Sequence, residues 1–190
     1  MTDAILIGWI VLCIVMLVHR RLRNEGVAER APGTWFGIFV QAIGFSVIWM
    51  MHRGAESLPQ TVVTLMSWVA DVCGLVAIAL GIAAIWTLGR QWSVDGRVLL
   101  DHRLVQHGPY AYVRHPIYTS MFGMLLSTGL SLSSILGLAV GIIIFFAGTV
   151  IRVHYEEKLL HKRFGLAFEE YAANVPAFLP RIDLSGSYRT

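Results

Sequence analysis

Histidine, arginine, glutamate and tyrosine side chains gather in two short polar clusters that interrupt an otherwise apolar chain. The first is Gly108-Pro-Tyr-Ala-Tyr-Val-Arg-His-Pro-Ile-Tyr118 and the second is Arg152-Val-His-Tyr-Glu-Glu157. Ionisable groups beside a bilayer are costly unless paired or used, so two such clusters on one membrane face mark a candidate site. Pro116 biases His115 away from helical geometry and can open the helix that follows. Arg114 and His115 then stand in its opening turn, where free amides and the helix dipole can receive an anion. Tyr110, Tyr112 and Tyr118 add hydroxyls and ring faces, and ring faces attract a cationic ligand such as a sulfonium. The competing reading of these residues is an aromatic belt with a basic anchor. Arg152 and Glu156 are four apart and share one helix face. Arg152 can bind a substrate anion and Glu156 the hydroxyl or ammonium groups of a ligand. Otherwise they form an ion pair worth about 0.3–0.5 kcal/mol if exposed. Glu157, Lys158 and Lys162 read as a solvated face.

The elements that must position these clusters are membrane helices. The chain is 56% hydrophobic and 14% charged, with mean hydropathy +0.64, whereas a soluble domain carries about 25% charged residues. Apolar runs cover residues 4–18, 35–51, 61–88, 117–132 and 135–151. A spanning helix needs roughly 20 apolar residues. The first run is short for that, so its ends must snorkel through Arg20 and Arg21 or thin the bilayer locally, while the third is long and must tilt or project. The last two, joined only by residues 131–134, form an antiparallel hairpin. The expected architecture is therefore an all-α integral membrane protein of about five helices. A ligand-binding loop faces the cytoplasm, and the amphipathic stretch from Leu159 to Tyr171, interrupted near Gly165, forms a C-terminal helix that covers the site or lies on the membrane. Val175-Pro-Ala-Phe-Leu-Pro180 reads as an extended closing segment. All 190 residues make one domain, with membrane helices in 1–88 and the site-bearing region in 89–190.

Basic residues set the orientation. Arg20, Arg21, Arg23 and Arg30 follow the first run; Arg90, Arg97, Arg103 and Arg114 follow the third; Arg152, Lys158, Lys162, Arg163, Arg181 and Arg189 follow the fifth. Together they are 14 of the 15 Lys and Arg residues, with Arg53 alone on the other side. The positive-inside rule puts this face in the cytoplasm and the N-terminus outside. Contact with anionic headgroups accounts for a pI of about 9.1 without invoking nucleic acid.

Several other features carry less chemistry. The glycine pairs 137/141 and 74/81 read as helix-packing positions. Asp71 either lines a substrate path or is a protonated packing residue bonded to a neighbouring helix. Cys13 and Cys73 form no CxxC pair, which argues against a zinc site or a disulfide framework. The N-terminal run lacks a preceding basic region and a clear cleavage site, and reads as a retained anchor. There is no GxGxxG after a strand, no Walker loop and no HExxH, and the seven histidines lack the paired spacings of a di-iron site. No metal is expected.

Taken in order, Asp101-His-Arg-Leu-Val105, residues 108–118, Arg152-Val-His-Tyr-Glu-Glu-Lys-Leu-Leu160, Phe164-Gly165, Tyr171 and residues 175–180 resemble the isoprenylcysteine carboxyl methyltransferase family, with its prokaryotic relatives and the wider phospholipid methyltransferase group. The resemblance covers roughly the C-terminal half. It implies a membrane enzyme that uses S-adenosylmethionine without a Rossmann domain. On that resemblance His102, Leu104 and Val105 contribute to the cofactor pocket, Val105 and its neighbours partly through backbone. Tyr110, His115, Pro116 and Tyr118 continue it, and Glu156 matches the cofactor-binding glutamate. Arg152 matches the substrate-binding arginine on which catalysis would depend. Gln91 or Asp95 would supply a further contact. The implied reaction is carboxyl O-methylation of an isoprenylcysteine-like or other lipid-linked acid, at the cytoplasmic face of a prokaryotic inner membrane. N-methylation of a phospholipid headgroup and a non-catalytic membrane scaffold are the alternatives.

Overall fold

The computed structural model describes residues 2–21, 27–52, 54, 58–94 and 96–180, with the side chains of 2–6, 19–21 and 27 outside that description. Arg23, Arg53, Asp95, Arg181 and Arg189 therefore lie outside the described residues. Five long helices carry the chain: α1 (Thr2–Arg21), α2 (Thr34–Met50), α3 (Gln60–Leu88), α4 (Pro116–Leu132) and α5 (Ile135–Phe164). A short α6 (Leu166–Asn174) follows. Two stretches, Gln60–Gln91 and Ile135–Phe164, are long and apolar enough to cross a membrane; Ile7–Val18 and Thr34–Met50 are shorter apolar helices. At about 1.5 Å per residue, α3 and α5 are each roughly 45 Å long, more than the ~30 Å hydrocarbon layer. α5 therefore runs on through the second polar cluster, past the residue 151 expected from the apolar run.

Local signals fix the ends. Ser134 caps α5 by accepting the Gly137 amide at 3.1 Å. Gly165 stops it with φ +53°, a conformation that favours glycine. His161, Lys162 and Arg163 occupy the last turn, where positive charge suits the helix dipole. Pro116 takes the first position of α4, with His115 outside the helical region before it at φ −125° and ψ 59°. At the other end of the bundle, the Met51 carbonyl accepts from the Ser134 amide (2.8 Å) and the Ser133 hydroxyl (3.0 Å). This ties the α2–α3 connection to the α4–α5 turn.

α4 is the central helix. Among the described residues none of its large apolar side chains is exposed, whereas α1, α2, α3 and α5 each present several outward. α3 packs on α4 with Gly74 against Ser127 and Gly81 against Ser120, and Ser120 Oγ donates to the Ala77 carbonyl at 2.7 Å. α2 crosses α5 more tightly still. A Cβ on Gly148 would stand 2.7 Å from both the Gln41 amide nitrogen and the Gly37 carbonyl oxygen, and one on Gly44 would meet the backbone of Phe145 and Gly141. Small residues let the two backbones touch. α1 packs mainly on α3 and α4.

One element departs from the all-α expectation. β1 (Val27–Arg30) pairs antiparallel with β2 (Arg97–Leu99), Glu29 opposite Val98 and Arg30 opposite Arg97. This ribbon ties the α1–α2 connection to the α3–α4 connection on the basic side. The two segments are only four and three residues long, too short for a clear period-two pattern.

Candidate functional site

The β2 loop, the opening turn of α4 and the emerging half of α5 converge on one cavity of about 650 Å³. Its polar end is formed by residues 91–94, 96–98, 102–105, 110, 114, 115, 117 and 118 with Arg152 and Glu156. Its apolar end is formed by Trp9 and Met16 of α1, Met121 of α4, and Ile38, Ala42, Phe45 and Trp49 of α2. Of the residues expected to form the site, His102, Leu104, Val105, Tyr110, His115, Tyr118, Arg152 and Glu156 all line it. Pro116 does not; it is buried at the start of α4 and sets the backbone there. Gln91 lines the cavity, and its side-chain oxygen accepts the Arg103 amide.

Arg152 is 6% exposed and held on several sides. Nη1 donates to Gln41 Oε1 at 3.0 Å and Nη2 to the Val94 carbonyl at 2.7 Å. Glu156 Oε1 lies 3.7 Å from Nη2, and the guanidinium carbon sits 4.7 Å from the Tyr118 ring centre, a cation–π distance. Nε is buried and has no acceptor among the described residues. The Tyr118 hydroxyl donates to Glu156 Oε1. Gly96, at φ +47°, brings the loop backbone against Glu156 and Thr34, where a Cβ would meet both side chains.

Two tyrosines close the polar end as neutral groups. Burial first, then Tyr171 and Glu156, push the Tyr110 hydroxyl far above its ordinary value. Burial likewise pushes Tyr171 up to about 12, against the pull of Arg114. The Tyr171 hydroxyl donates to the Tyr110 carbonyl at 2.7 Å. Both rings therefore present π faces and hydroxyl dipoles without a negative charge.

Three expectations are corrected. The amides of Arg114 and His115 are not free for an anion: they donate to the Pro176 and Ala177 carbonyls at 2.8 and 3.0 Å. The Arg114 guanidinium is likewise spent, on Glu157 (3.0 and 2.9 Å) and on the Ala172 and Val175 carbonyls (2.7 and 2.6 Å). Residues 175–178 are thus a strap across the opening turn, completed by Thr119 Oγ donating to the Phe178 carbonyl at 2.9 Å. Glu157 does not belong to a solvated face: it pairs with Arg114 and with His115 Nε2, the latter at 2.9 Å. Lys162 does belong to one, 70% exposed and paired with Glu29. Tyr112 is exposed and outside the cavity. Asp71 lies on α3 away from the cavity lining, with one carboxylate oxygen buried and unpaired among the described residues.

Gln41 was missed from sequence. It is 2% exposed within an apolar run, and a buried amide there demands partners; that was the available signal. The Val94 carbonyl and the aromatic lining of α2 gave no comparable signal.

Residues 65–167 match the family described as phospholipid methyltransferase. The chain is 30% identical over 122 residues to a probable protein-S-isoprenylcysteine O-methyltransferase of Oryza sativa subsp. indica, covering 61% of this chain and 64% of that protein. It is 34% identical over 107 residues to the nickel-cobalt-cadmium resistance protein NccN of Alcaligenes xylosoxydans xylosoxydans, covering 55% and 49% respectively. With the protein-S-isoprenylcysteine O-methyltransferase of Schizosaccharomyces pombe, identity is 35% over 82 residues, 43% of this chain and 35% of that one. The chain thus spans less than two thirds of the length of these relatives.

Proposed function

Because the chain belongs to the phospholipid methyltransferase family, we propose that it is an S-adenosylmethionine-dependent membrane methyltransferase whose acceptor is the carboxylate of an isoprenylcysteine-like or other lipid-linked acid. The observation that carries this reading is one cavity with two unlike ends. Arg152 and Glu156 stand at the polar end, and Ile38, Ala42, Phe45 and Trp49 of α2 extend it along an apolar wall. From Ile38 to Trp49 that wall is about 16 Å long at 1.5 Å per residue, enough for an alkyl or prenyl tail. The relatives from rice and fission yeast are named as isoprenylcysteine O-methyltransferases, which supports the same acceptor class.

The residues present fit the cofactor. Glu156 offers a carboxylate for ammonium or ribose hydroxyl groups, Tyr110 and Tyr118 offer ring faces, and His102, Leu104 and Val105 form an adjoining wall. When bound, S-adenosylmethionine supplies an electrophilic methyl group on a sulfonium. A carboxylate is already a nucleophile, so the chain needs no general base. Its work is to hold the acceptor in line and to exclude water. Arg152 supplies the buried positive charge that draws the acid in, and the uncharged ester loses that attraction and can leave. A buried cation is a poor neighbour for the ammonium of a phospholipid headgroup, which places N-methylation second.

We place the site at the cytoplasmic face of a prokaryotic inner membrane, with five spans and the N-terminus outside. Single cysteines replacing Thr61 and Glu170, in a chain lacking Cys13 and Cys73, should label from opposite sides; labelling of both from one side would overturn this topology. The deciding experiment for function supplies purified protein with labelled cofactor and a panel of lipid acids and lipid amines. Methyl esters of the acids are the expected products. N-methylated amines would move the reading to headgroup methylation. Absence of cofactor binding would leave only a scaffold.

A further inference from the structure

We infer that Gln41 is a positioning residue that orients Arg152 for the acceptor anion; the inference rests on the acceptor reading above. The directions of the hydrogen bonds leave the amide one useful orientation. Thr149 Oγ donates to the Phe145 carbonyl at 2.8 Å within α5, so its hydrogen is committed. Its lone pairs accept Gln41 Nε2 at 2.7 Å. Gln41 Oε1 must then face away from Thr149, and it accepts Arg152 Nη1 at 3.0 Å. The chain of donors runs from Arg152 through Gln41 and Thr149 to a main-chain carbonyl, and every member is buried.

This chain fixes what Arg152 offers a ligand. Nη1 is held by Gln41 and Nη2 by the Val94 carbonyl, while Nε–H is buried without an acceptor among the described residues. A guanidinium usually grips a carboxylate with two parallel bonds. Each terminal nitrogen carries two N–H groups, so with one on Nη1 given to Gln41 and one on Nη2 to the Val94 carbonyl the plane of the guanidinium is fixed and one N–H on each is left for a carboxylate. The glycine crossing makes the geometry stiff: Gly37 and Gly148 flank Gln41 and Arg152, and added Cβ atoms there would strike backbone.

The test compares Gln41→Met, which keeps length and removes both hydrogen bonds, with Gln41→Glu, which places a competing anion on Arg152. The probe acid is N-acetyl-S-farnesylcysteine, assayed for KM and kcat, with cofactor affinity measured by titration and folding by thermal unfolding in detergent. Gln41→Met should raise the KM for the acid about tenfold, the size of one hydrogen bond, and Gln41→Glu should raise it further. Cofactor affinity should stay within about twofold in both. Thr149→Val is close to isosteric and should raise KM less, by releasing the amide to turn over; it also serves if the Gln41 variants do not fold. An acid KM unchanged in the folded variants while Arg152→Ala raises it would overturn the role of Gln41 and leave the acceptor reading standing. Equal losses of acid and cofactor affinity would make Gln41 merely structural and overturn the inference too. An acid KM unchanged in Arg152→Ala would instead overturn the acceptor reading itself.

Discussion

Two adjacent faces of α2 solve opposite problems. Residues 34, 37, 41, 44 and 48 are buried and include both glycines of the α5 crossing. Residues 38, 42, 45 and 49 lie one step, about 100°, around the helix and line the cavity. Across the first face the backbones of α2 and α5 are in contact. Across the second, Trp9 of α1 meets Phe45 edge-on at 5.0 Å, and its indole N–H reaches Thr128 on α4 at 3.2 Å. Tight packing is thus confined to the face that sets the position of Arg152, and the neighbouring face is left hollow for a ligand. A protein interior packed uniformly at crystal density would have room for neither an apolar tail nor a cofactor.

Changes on the tight face should cost the most. Gly148→Val drives a branched side chain into the backbone of Gln41 and Gly37. Thermal unfolding should show a loss of about 3 kcal/mol, with the proposed methyl transfer lost as Arg152 moves. Near-normal stability would mean that the crossing is looser than described. At the polar end of the cavity, Glu156→Ala should weaken cofactor binding by roughly 10–100-fold, the scale of a hydrogen bond to a charged group. His115→Ala should weaken it less, since Nε2 is already engaged by Glu157. Titration calorimetry on the folded variants checks both, and unchanged affinity in Glu156→Ala would remove Glu156 from the cofactor site.

On the hollow face the effect should divide differently. Trp49 is 38% exposed, so Trp49→Leu should leave the unfolding temperature nearly unchanged. It should raise the KM for long-tailed acids on the order of tenfold and leave a short-tailed acid unaffected; equal changes for both would mean the tail lies elsewhere. The smallest effect belongs to the surface. Removing the exposed Lys162–Glu29 pair by Lys162→Ala should alter stability by less than about 0.5 kcal/mol and change no kinetic constant.

What could be read from sequence follows from what is local. The two polar clusters, the helix starts at Pro116 and Ser134 and the stop at Gly165 are signalled by residues at or next to the place they act. The long apolar runs gave the five helices. Partners distant in sequence were not legible. Glu157 looks like its charged neighbours Lys158 and Lys162 until α4 brings Arg114 and His115 against it. The Gly37–Gly44 stripe is unremarked in an apolar run until α5 supplies Gly141 and Gly148 opposite. The direction of the opening-turn amides at Arg114 and His115 was equally hidden, because the carbonyls that take them come from residues 176 and 177.

That strap has a consequence for biosynthesis. Arg114 is anchored by carbonyls 58 and 61 residues downstream. At about 5–20 residues per second, the ribosome delivers those carbonyls roughly 3–12 s after Arg114 itself. All five apolar helices precede residues 172–178 in synthesis, so the strap is the last of these elements to join the pocket. A purified chain truncated after Tyr171 should therefore keep the five helices, lose the anchor of Arg114 and hold a ligand at the opening turn of α4 more weakly.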